Sequence, residues 1–493
     1  MKNNKLTLSL ATLMIAFSLI SCSQDTHTEP SPKHDIVYVD NSNASGIEDG
    51  TYEYPYTTIQ EGIENAYGDK WVYIRQGNKP YSVEKGFLID LEGTKDLTLW
   101  GSGYDGDFPG MPATGYPVLQ SSTLGKERPV YLKDVENITI MGLELKGGEQ
   151  NVIYAGGAKN LTIKHCIISG AEPAPVWTWT SGILIYSFGS GDNSSGITIT
   201  DNIFYDNHTG GINISVFGNS DFGYESTTEN VLIARNTFFQ TPEAEEAMYL
   251  PIICEIWCGV MQNITIEDND ISDFGEGSAF TPAGIFFLQR LNPTPLSDNI
   301  IIRNNNIANS ANDAGGIWVE VRSGKMDNLI VSGNTISDVG RGITLITPGT
   351  ANLPGEGGGV IDGAVVNGNT ITNSLHPSQG GLLLVSLADG SLSANVSKNI
   401  IKDGQGYGIW LDCDDEATLS ADLGGGVLQS EGFNSIYNNM LGGIGIEDAG
   451  VGHQTAKYNW WGQADDPASL IEGDIDYIPW LTENPNLEAS PPF

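Results

Sequence analysis

The sequence predicts an all-β solenoid in which short parallel strands stack coil upon coil around one apolar core. The clearest copy of the repeating unit spans residues 328–345. There Leu329 and Val331 alternate with outward positions, Asn334 marks a turn and Gly342 opens a further strand. The composition agrees with this prediction, because 61 glycines and a charged fraction of 17% in 493 residues suit many tight turns around an apolar core.

The chain begins with the features of an export signal. Lys2 and Lys5 precede an apolar run, residues 6–20, that is too short for a stable membrane span. The run ends in Leu-Ile-Ser-Cys22, which resembles a bacterial lipobox. This resemblance implies that a signal peptide, residues 1–21, is removed and that Cys22 is acylated. Several acyl chains on one residue anchor a protein stably to a membrane, where a single chain does not. An ordinary secretory signal followed by an unrelated cysteine is the alternative.

If Cys22 is lipidated, residues 22–35 form a polar tether between the lipid bilayer and the folded domain. The segment contains prolines and polar side chains and lacks an apolar periodicity. We therefore expect a bacterial membrane lipoprotein at the outer membrane or cell surface.

The folded domain opens with a strand, residues 36–40, followed by an Asp/Gly/Asn-rich turn and Pro55-Tyr-Thr-Thr-Ile-Gln60. Apolar side chains at Ile59 and Ile63 then predict a short helix, capped by Thr57 or Thr58. This opening resembles the entry of secreted β-helix proteins of the pectin-lyase-like superfamily. The resemblance implies a right-handed parallel β-helix whose first coil is covered by the helix. We assign residues 36–485 to one such domain and residues 486–493 to a tail.

A row of asparagines marks successive coils after an irregular early part of the chain. The predicted ladder consists of Asn202, Asn236, Asn269, Asn305, Asn334, Asn369, Asn399 and Asn439. The spacing varies from coil to coil, as expected when loops of different length connect stacked strands. Asparagine suits such a turn because its amide bonds to neighbouring turns and the residue tolerates unusual backbone angles. We interpret the row as structural.

The charge of the chain excludes one class of partner. The chain carries 61 acidic and 23 basic residues, for a net charge of -38, which repels nucleic acid and anionic lipid. An anionic polysaccharide would need bound Ca²⁺ or a local basic patch. We therefore expect no nucleic-acid partner, and we expect a monomer.

The third strand of each coil, which begins with Gly-Ile, carries the candidate functional residues. Alternation along this strand directs Trp318, Glu320 and Arg322 outward from one coil and Trp410, Asp412 and Asp414 outward from another. Phe286 and Arg290 fall in register with Trp318 and Arg322. Long loops follow this strand repeatedly, so a groove beside it is expected.

Such a groove suits a polysaccharide, because sugars stack on aromatic rings and bond to carboxylates and guanidinium groups. The substrate-binding candidates are Trp318, Trp410 and Phe286, and the catalytic candidates are Arg322, Glu320, Arg290 and Asp412. A lyase would use Arg as the base and Ca²⁺ to neutralise a uronate, with Asp412, Asp414 and Asp415 as the candidate ligands. A hydrolase would need two converging carboxylates.

The sequence lacks the motifs that would transfer a reaction by resemblance. It contains no Asp-Pro-His of the alginate epimerases and no Asn-Thr-Asp with Gly-Asp-Asp of the polygalacturonases. The histidines are scattered without metal-ligand spacing. Two functions therefore remain open: a lipid-anchored β-helix that binds and cleaves an extracellular polysaccharide, and a non-catalytic surface protein with a binding or structural role.

Overall fold

The computed structural model describes residues 36–66, 70–82, 87–104, 115–121, 128–148, 150–172, 180–189, 192–218, 226–244, 248–275, 282–291, 295–311, 313–348 and 357–486. These residues form the right-handed parallel β-helix that the sequence predicts. The signal peptide, Cys22, the tether and residues 487–493 lie outside the described residues, so the predictions about them stay predictions.

Each coil contributes strands to three parallel sheets, in the order first sheet, second sheet, third sheet. The first sheet consists of Ile36–Val39, Lys70–Ile74, Lys95–Gly101, Glu136–Met141, Lys159–Lys164, Ser194–Thr200, Thr227–Ala234, Val260–Glu267, Leu296–Arg303, Lys325–Ser332, Val360–Asn367, Ser391–Ser397, Thr418–Asp422, Gln454–Thr455 and Ile475–Asp476.

The second sheet consists of Val118–Gln120, Glu144–Lys146, Ile167–Ser169, Ile203–Tyr205, Thr237–Phe239, Asp270–Phe274, Asn306–Ser310, Thr335–Ser337, Thr370–Thr372, Ile400–Lys402 and Ser435–Tyr437. The third sheet consists of Ile89–Asp90, Val130–Lys133, Asn151–Gly156, Ser181–Phe188, Gly210–Phe217, Ile252–Cys258, Ala283–Gln289, Gly315–Val321, Arg341–Thr347, Leu382–Ser386, Tyr407–Cys413 and Gly442–Ile446. Short 3₁₀ turns cover Ala449–Val451 and Pro467–Leu470.

Alternation along the strands builds one continuous core between the sheets. In the strand Lys325–Ser332, Leu329 and Val331 are buried while Ile330 between them is partly exposed. The same alternation recurs in successive coils because strands of one sheet pair in register, with Ile300 opposite Leu329 and Ile302 opposite Val331. Each coil therefore buries its apolar side chains against the coil above and the coil below.

The single helix among the described residues, Ile59–Glu64, covers the first coil. Its N-cap is Thr58, whose Oγ1 accepts a hydrogen bond from the Glu61 N–H (3.3 Å), which confirms the predicted cap. Ile59 and Ile63 are buried in the core cluster. At the other end, Trp461 is 1% exposed and belongs to the same core.

Buried asparagines link the coils between the first and second sheets. Asn334 is typical: its Nδ2 donates to the Ile302 carbonyl (3.0 Å) and to Asn369 Oδ1 (2.9 Å), and its Oδ1 accepts from the N–H and Nδ2 of Asn305 (3.0 Å each). Equivalent bonds connect Asn202, Asn236, Asn269, Asn305, Asn334, Asn369 and Asn399. The positive φ angle belongs to the residue before the asparagine, as at Arg235 (φ 54°) before Asn236, and not to the ladder asparagine itself.

One predicted member of the ladder is wrong. The residue that follows Asn399 in the ladder is Asn434, whose Oδ1 accepts from the Asn399 N–H (3.0 Å) and Nδ2 (2.9 Å). The reason is register, because Ile400 pairs with Ser435 and so aligns Asn399 with Asn434. Asn439 instead accepts from the Gly404 N–H (3.0 Å) in a neighbouring turn. The ladder then continues to Asn459.

Two further properties bear on the sequence predictions. Cys166, Cys254, Cys258 and Cys413 are buried and form no disulfide, so they act as core residues. Within the described ranges no helix is long and apolar enough to cross a membrane.

Candidate functional site

A row of aromatic side chains crosses the outer face of the third sheet. This aromatic strip consists of Phe87, Tyr131, Tyr154, Tyr186, Phe217 and Trp257. Neighbouring ring centroids along it lie 4.5, 5.3, 6.2, 5.8 and 4.9 Å apart. The rings face outward because the residues that alternate with them, such as Ile153 and Ile185, fill the core.

The strip runs diagonally across the strands instead of straight along one row. Tyr186 lies in register with Gly156, which is two positions beyond Tyr154 on the preceding strand. Phe217 lies in register with Phe188, two positions beyond Tyr186. These two steps each shift the strip by about 6.6 Å along the strand direction, whereas Tyr131 lies directly in register with Tyr154. A Cβ at position 156 would lie 2.9 Å from the Tyr154 hydroxyl oxygen, so a larger residue there would displace the Tyr154 side chain.

An open cavity of about 550 Å³ lies against this strip. Its lining residues are Arg128, Tyr131, Gln150, Asn151, Tyr154, Leu184, Tyr186, Asn213, Ser215, Phe217 and Trp257. The diagonal course of the rings leaves smaller side chains uncovered beside them, and these form the floor of the cavity. The lining thus combines aromatic rings with amides and a hydroxyl, which is a common composition for a ligand pocket.

Hydrogen bonds fix most of the polar side chains of the cavity. Arg128 donates through Nη2 to Gln150 Oε1, and its guanidinium carbon lies 4.7 Å from the centroid of the Tyr154 ring. Ser215 Oγ donates to Asn213 Oδ1 (2.8 Å). These groups are held in place before any ligand arrives, which reduces the entropy lost on binding.

Two polar atoms of the cavity lack a hydrogen-bond partner among the described residues: Asn151 Oδ1 and Trp257 Nε1. Asn151 is 1% exposed, and its Nδ2 donates to Ser181 Oγ (3.1 Å). One acceptor and one donor at the cavity therefore have hydrogen-bonding capacity that no described residue uses.

A buried carboxyl group lies next to the cavity floor. Glu255 is fully buried on the outer face of its strand, in register with Ser215 and two residues before Trp257. Burial raises the pKa of Tyr186, and the negative charges of Glu255 and Asp192 raise it further. A carboxyl group and a phenol thus lie near each other at the cavity, and both are groups that transfer protons in enzymes.

Sequence reasoning missed most of this site. The Gly-Ile signature aligned the strand that carries Tyr186, but the strands of Tyr131 and Tyr154 lack that signature. The usable signal was the alternation around them, Val130-Tyr131-Leu132 and Ile153-Tyr154-Ala155, which places an aromatic ring outward in each strand.

The structure brings together the central residues that the sequence nominated. Trp318 Nε1 donates to Glu320 Oε2 (3.2 Å), and Arg322 Nε forms an ion pair with Glu320 Oε1 (2.5 Å). Phe286 lies in register with Trp318. Both rings pack against a small apolar cluster of Tyr249, Leu250, Ile253 and Ala283.

The outer face around these residues is largely buried. Leu288, Thr344 and Leu383, which point outward on the same and the following strands, are 3%, 1% and 2% exposed. Glu320 itself is 9% exposed. An open cavity lies instead at the aromatic strip. Arg290 contacts this strip, because its guanidinium carbon lies 4.2 Å from the centroid of the Trp257 ring.

Trp410 and Asp412 lie apart from Trp318. Successive registers connect Trp318 to Thr344, Leu383 and then Trp410, a separation of three coils, or about 14 Å. Trp410 packs against Tyr407, with ring centroids 5.5 Å apart. The third sheet therefore does not place the nominated aromatic residues in one site.

Asp412 lies in an acidic environment. Burial raises its pKa to about 6, assisted by the negative charges of Glu447, Asp448 and Asp414. Its Oδ1 has no hydrogen-bond partner among the described residues.

The predicted Ca²⁺ ligands Asp412, Asp414 and Asp415 do not form a metal-binding group. Nowhere in the described part of the chain are three or more His, Cys, Asp or Glu side chains arranged to hold a metal ion. Asp414 serves another purpose, because its Oδ2 accepts a hydrogen bond from the Ala388 N–H (2.8 Å) and so ties two loops together. Asp415 is exposed on the loop that follows the strand.

Comparisons with known proteins agree with the strand arrangement. Residues 117–250 match the family model described as right handed beta helix region, which covers less than half of the chain. No curated protein sequence matches the chain.

Among solved structures, the chain is similar to a lacto-N-biosidase from Eubacterium ramulus (12% identity, 90% of this chain and 68% of that chain covered, TM-score 0.39). It is also similar to an alginate lyase from Paenibacillus sp. (14% identity, 85% and 96% covered, TM-score 0.36). A third similar structure is a surface adhesin of Streptococcus pneumoniae (13% identity, 71% and 86% covered, TM-score 0.36).

Proposed function

We propose that this chain binds an extracellular polysaccharide in the cavity beside the aromatic strip. The observation that carries the proposal is the pairing of an aromatic wall with amide and hydroxyl groups around a cavity of about 550 Å³. A sugar ring presents C–H groups on its faces and hydroxyl groups around its rim. Aromatic rings contact the C–H groups of the sugar, and side-chain amides bind its hydroxyl groups.

The geometry of the rings supports the proposal. The planes of the Tyr154 and Tyr186 rings are inclined by 49° to each other, so these rings do not cover each other's faces. Both side chains are partly exposed. Tyr131 stacks on Tyr154 and Phe188 stacks on Tyr186, so a ligand contacts the part of each ring that these neighbours leave exposed.

The test is a binding screen against neutral, uronate-containing and sulfated glycans, followed by replacement of ring residues. We expect Tyr154→Ala and Tyr186→Ala each to weaken binding by at least about tenfold, since each removes a ring worth about 1.5 kcal/mol or more of contact. Isothermal titration calorimetry measures the change.

The matched control is a stacked pair of rings on another face. Tyr205 and Phe239 lie on the outer face of the second sheet with ring centroids 5.7 Å apart. Tyr205→Ala should leave glycan affinity unchanged. Equal losses from the control and from the strip variants would contradict the assignment of the binding site.

Cleavage of the bound glycan is a second candidate function, favoured by Glu255 and Tyr186 beside the cavity. Arg290, nominated from the sequence, contacts the strip through Trp257 and could clamp an acidic group. Incubation with the glycans that bind should then yield new reducing ends or unsaturated products, and Glu255→Gln should abolish the yield with little change in affinity. Binding without any product favours the non-catalytic surface protein.

The proposal includes a localisation: the protein is a lipoprotein of the bacterial outer membrane or cell surface. This part rests on the lipobox-like residues that end in Cys22. Cys22→Ser should move the protein from the membrane fraction to the soluble fraction, because the acyl chains supply the membrane affinity. Fractionation of cells that express both forms measures this, and an unchanged distribution would refute the anchor.

A further inference from the structure

The charge of the cavity distinguishes among the glycans that the proposed function admits. Among the lining residues that the structure describes, Arg128 is the charged one, and its guanidinium group bonds to Gln150 and lies over Tyr154. None of these residues is acidic or lysine. The described part of the lining therefore consists mainly of neutral amides, hydroxyls and rings.

The surroundings of the cavity disfavour an anionic ligand. Glu255 is buried next to Ser215 on the cavity floor, and the whole chain carries a net charge of -38. A carboxylate on a ligand would be repelled by both. Arg128 and Arg290 oppose this field at two points, and both guanidinium groups lie over aromatic rings of the strip.

The two unpartnered atoms point to hydroxyl groups. Ser181 Oγ donates to the Ile183 carbonyl (3.0 Å) and so accepts from Asn151 Nδ2, which fixes the amide with Oδ1 as the atom left over. Asn151 Oδ1 needs a donor and Trp257 Nε1 needs an acceptor. A hydroxyl group supplies either, whereas a carboxylate cannot donate to Asn151.

The separation of these two atoms sets a minimum length for the ligand. Asn151 pairs with Ser181, Ser181 with Gly210, and the strand of Gly210 with that of Trp257, so three coil steps separate the two side chains. Three steps correspond to about 14 Å along the β-helix, and the register places Trp257 about six residues, or about 20 Å, further along the strand direction. This distance exceeds one sugar ring.

We propose that the cavity selects an uncharged oligosaccharide segment that reaches from Asn151 Oδ1 to Trp257 Nε1, donating a hydroxyl hydrogen to the first and accepting from the second. This inference rests on the proposed function, because it names the class of glycan that binds at the same site.

The experiment compares neutral oligosaccharides (xylo-, cello-, manno- and galacto-series) with oligogalacturonates and oligomannuronates of matched length by calorimetry. The neutral ligand that binds should do so at least about tenfold more tightly than any uronate, and its affinity should increase until the chain covers the distance between the two atoms. Trp257→Phe keeps the ring and removes the N–H, and Asn151→Leu keeps the volume and removes the acceptor. Each should weaken binding by about tenfold.

Trp460→Phe, a change in the closing segment of the chain, serves as the control and should have no effect. If Asn151→Leu fails to fold, as judged by circular dichroism, Trp257→Phe alone decides.

The outcomes separate the inference from the proposed function. Tighter binding of uronates that is lost on Tyr154→Ala, or an unchanged affinity of Trp257→Phe for the neutral ligand, overturns the inference and leaves glycan binding at the strip intact. The proposed function itself is overturned if no glycan binds, or if Tyr154→Ala does not weaken glycan binding.

Discussion

At the scale of single residues, Asp412 carries a negative charge that destabilises the folded state. Its carboxyl group is partly buried near Glu447, Asp448 and Asp414, which raises its pKa from 3.8 to about 6. As pH rises through this interval, the unfolded chain loses the proton before the folded chain does. The folded state then binds more protons than the unfolded state, so stability falls with rising pH and stays lower above the interval.

Asp412→Asn should therefore stabilise the protein at neutral pH by about 1 kcal/mol, a figure that allows for solvent screening of a partly exposed group. The gain should shrink toward zero as the pH falls to about 4, where the wild-type carboxyl group is protonated in the fold. Urea unfolding at both pH values measures the difference.

The control for this change is Asp415→Asn, which removes the same charge from an exposed position on the following loop. We expect it to change stability by less than about 0.5 kcal/mol at either pH. A gain from Asp412→Asn that persists undiminished at about pH 4 would rule out titration of Asp412 as its cause.

At the scale of structural elements, the asparagine ladder holds successive turns together. Each internal amide satisfies backbone and side-chain groups of two neighbouring coils, as Asn334 does with Asn305, Ile302 and Asn369. These groups are buried, so a lost partner leaves them without water to replace it.

Asn334→Ala should reduce the free energy of unfolding by about 3 kcal/mol, because several buried donors and acceptors lose their partner together. Denaturant unfolding followed by circular dichroism measures the loss. Asn306→Ala is the matched control: Asn306 is exposed and donates one bond, to Asp270 Oδ1 (2.8 Å). A loss below about 1 kcal/mol is expected there, and comparable losses in both variants would show that ladder burial is unimportant.

At the scale of structural elements, local patterns explain which features of the fold the sequence could predict. Local sequence patterns determine the strand alternation, the helix cap at Thr58 and the ladder from Asn202 to Asn399. The sequence alone therefore predicts these features. The ladder residue Asn434 was missed because the long connection before it shifts the period, and only the pairing of Ile400 with Ser435 reveals the register.

The aromatic strip could not be predicted from the sequence for a different reason. Tyr154, Tyr186 and Phe217 occupy different positions in their own strands, and the register of three strands turns them into one diagonal. Nor does the strand pattern around Trp318 reveal that neighbouring outward side chains such as Thr344 are buried. Burial of an outer face depends on what packs over it, which alternation within one strand does not encode.

At the scale of the whole molecule, the imbalance of charge opposes folding. The chain has 61 acidic and 23 basic residues, and its net charge of -38 repels itself most strongly in the compact state. Exposed ion pairs such as that of Lys325 with Asp327 (2.7 Å) offset a small part of this.

Added salt should therefore raise the midpoint of thermal unfolding, because screening of the net repulsion outweighs the weakening of exposed ion pairs. We expect an increase of several degrees between about 0.02 M and about 0.5 M sodium chloride, measured by scanning calorimetry. Potassium chloride should act alike, since the effect follows ionic strength. A fall in the midpoint would show that the ion pairs dominate.

The ladder bonds stay constant while the chain between them does not. Consecutive ladder asparagines are separated by as few as 25 and as many as 36 residues, yet the bonds between their side chains remain 2.9 to 3.0 Å long. Insertions and deletions are thus absorbed outside the stacked strands. The connecting segments can therefore change in length without disturbing the scaffold, which makes the fold evolvable, because exchanged loops can give the surface new specificities while the ladder keeps the coils in place.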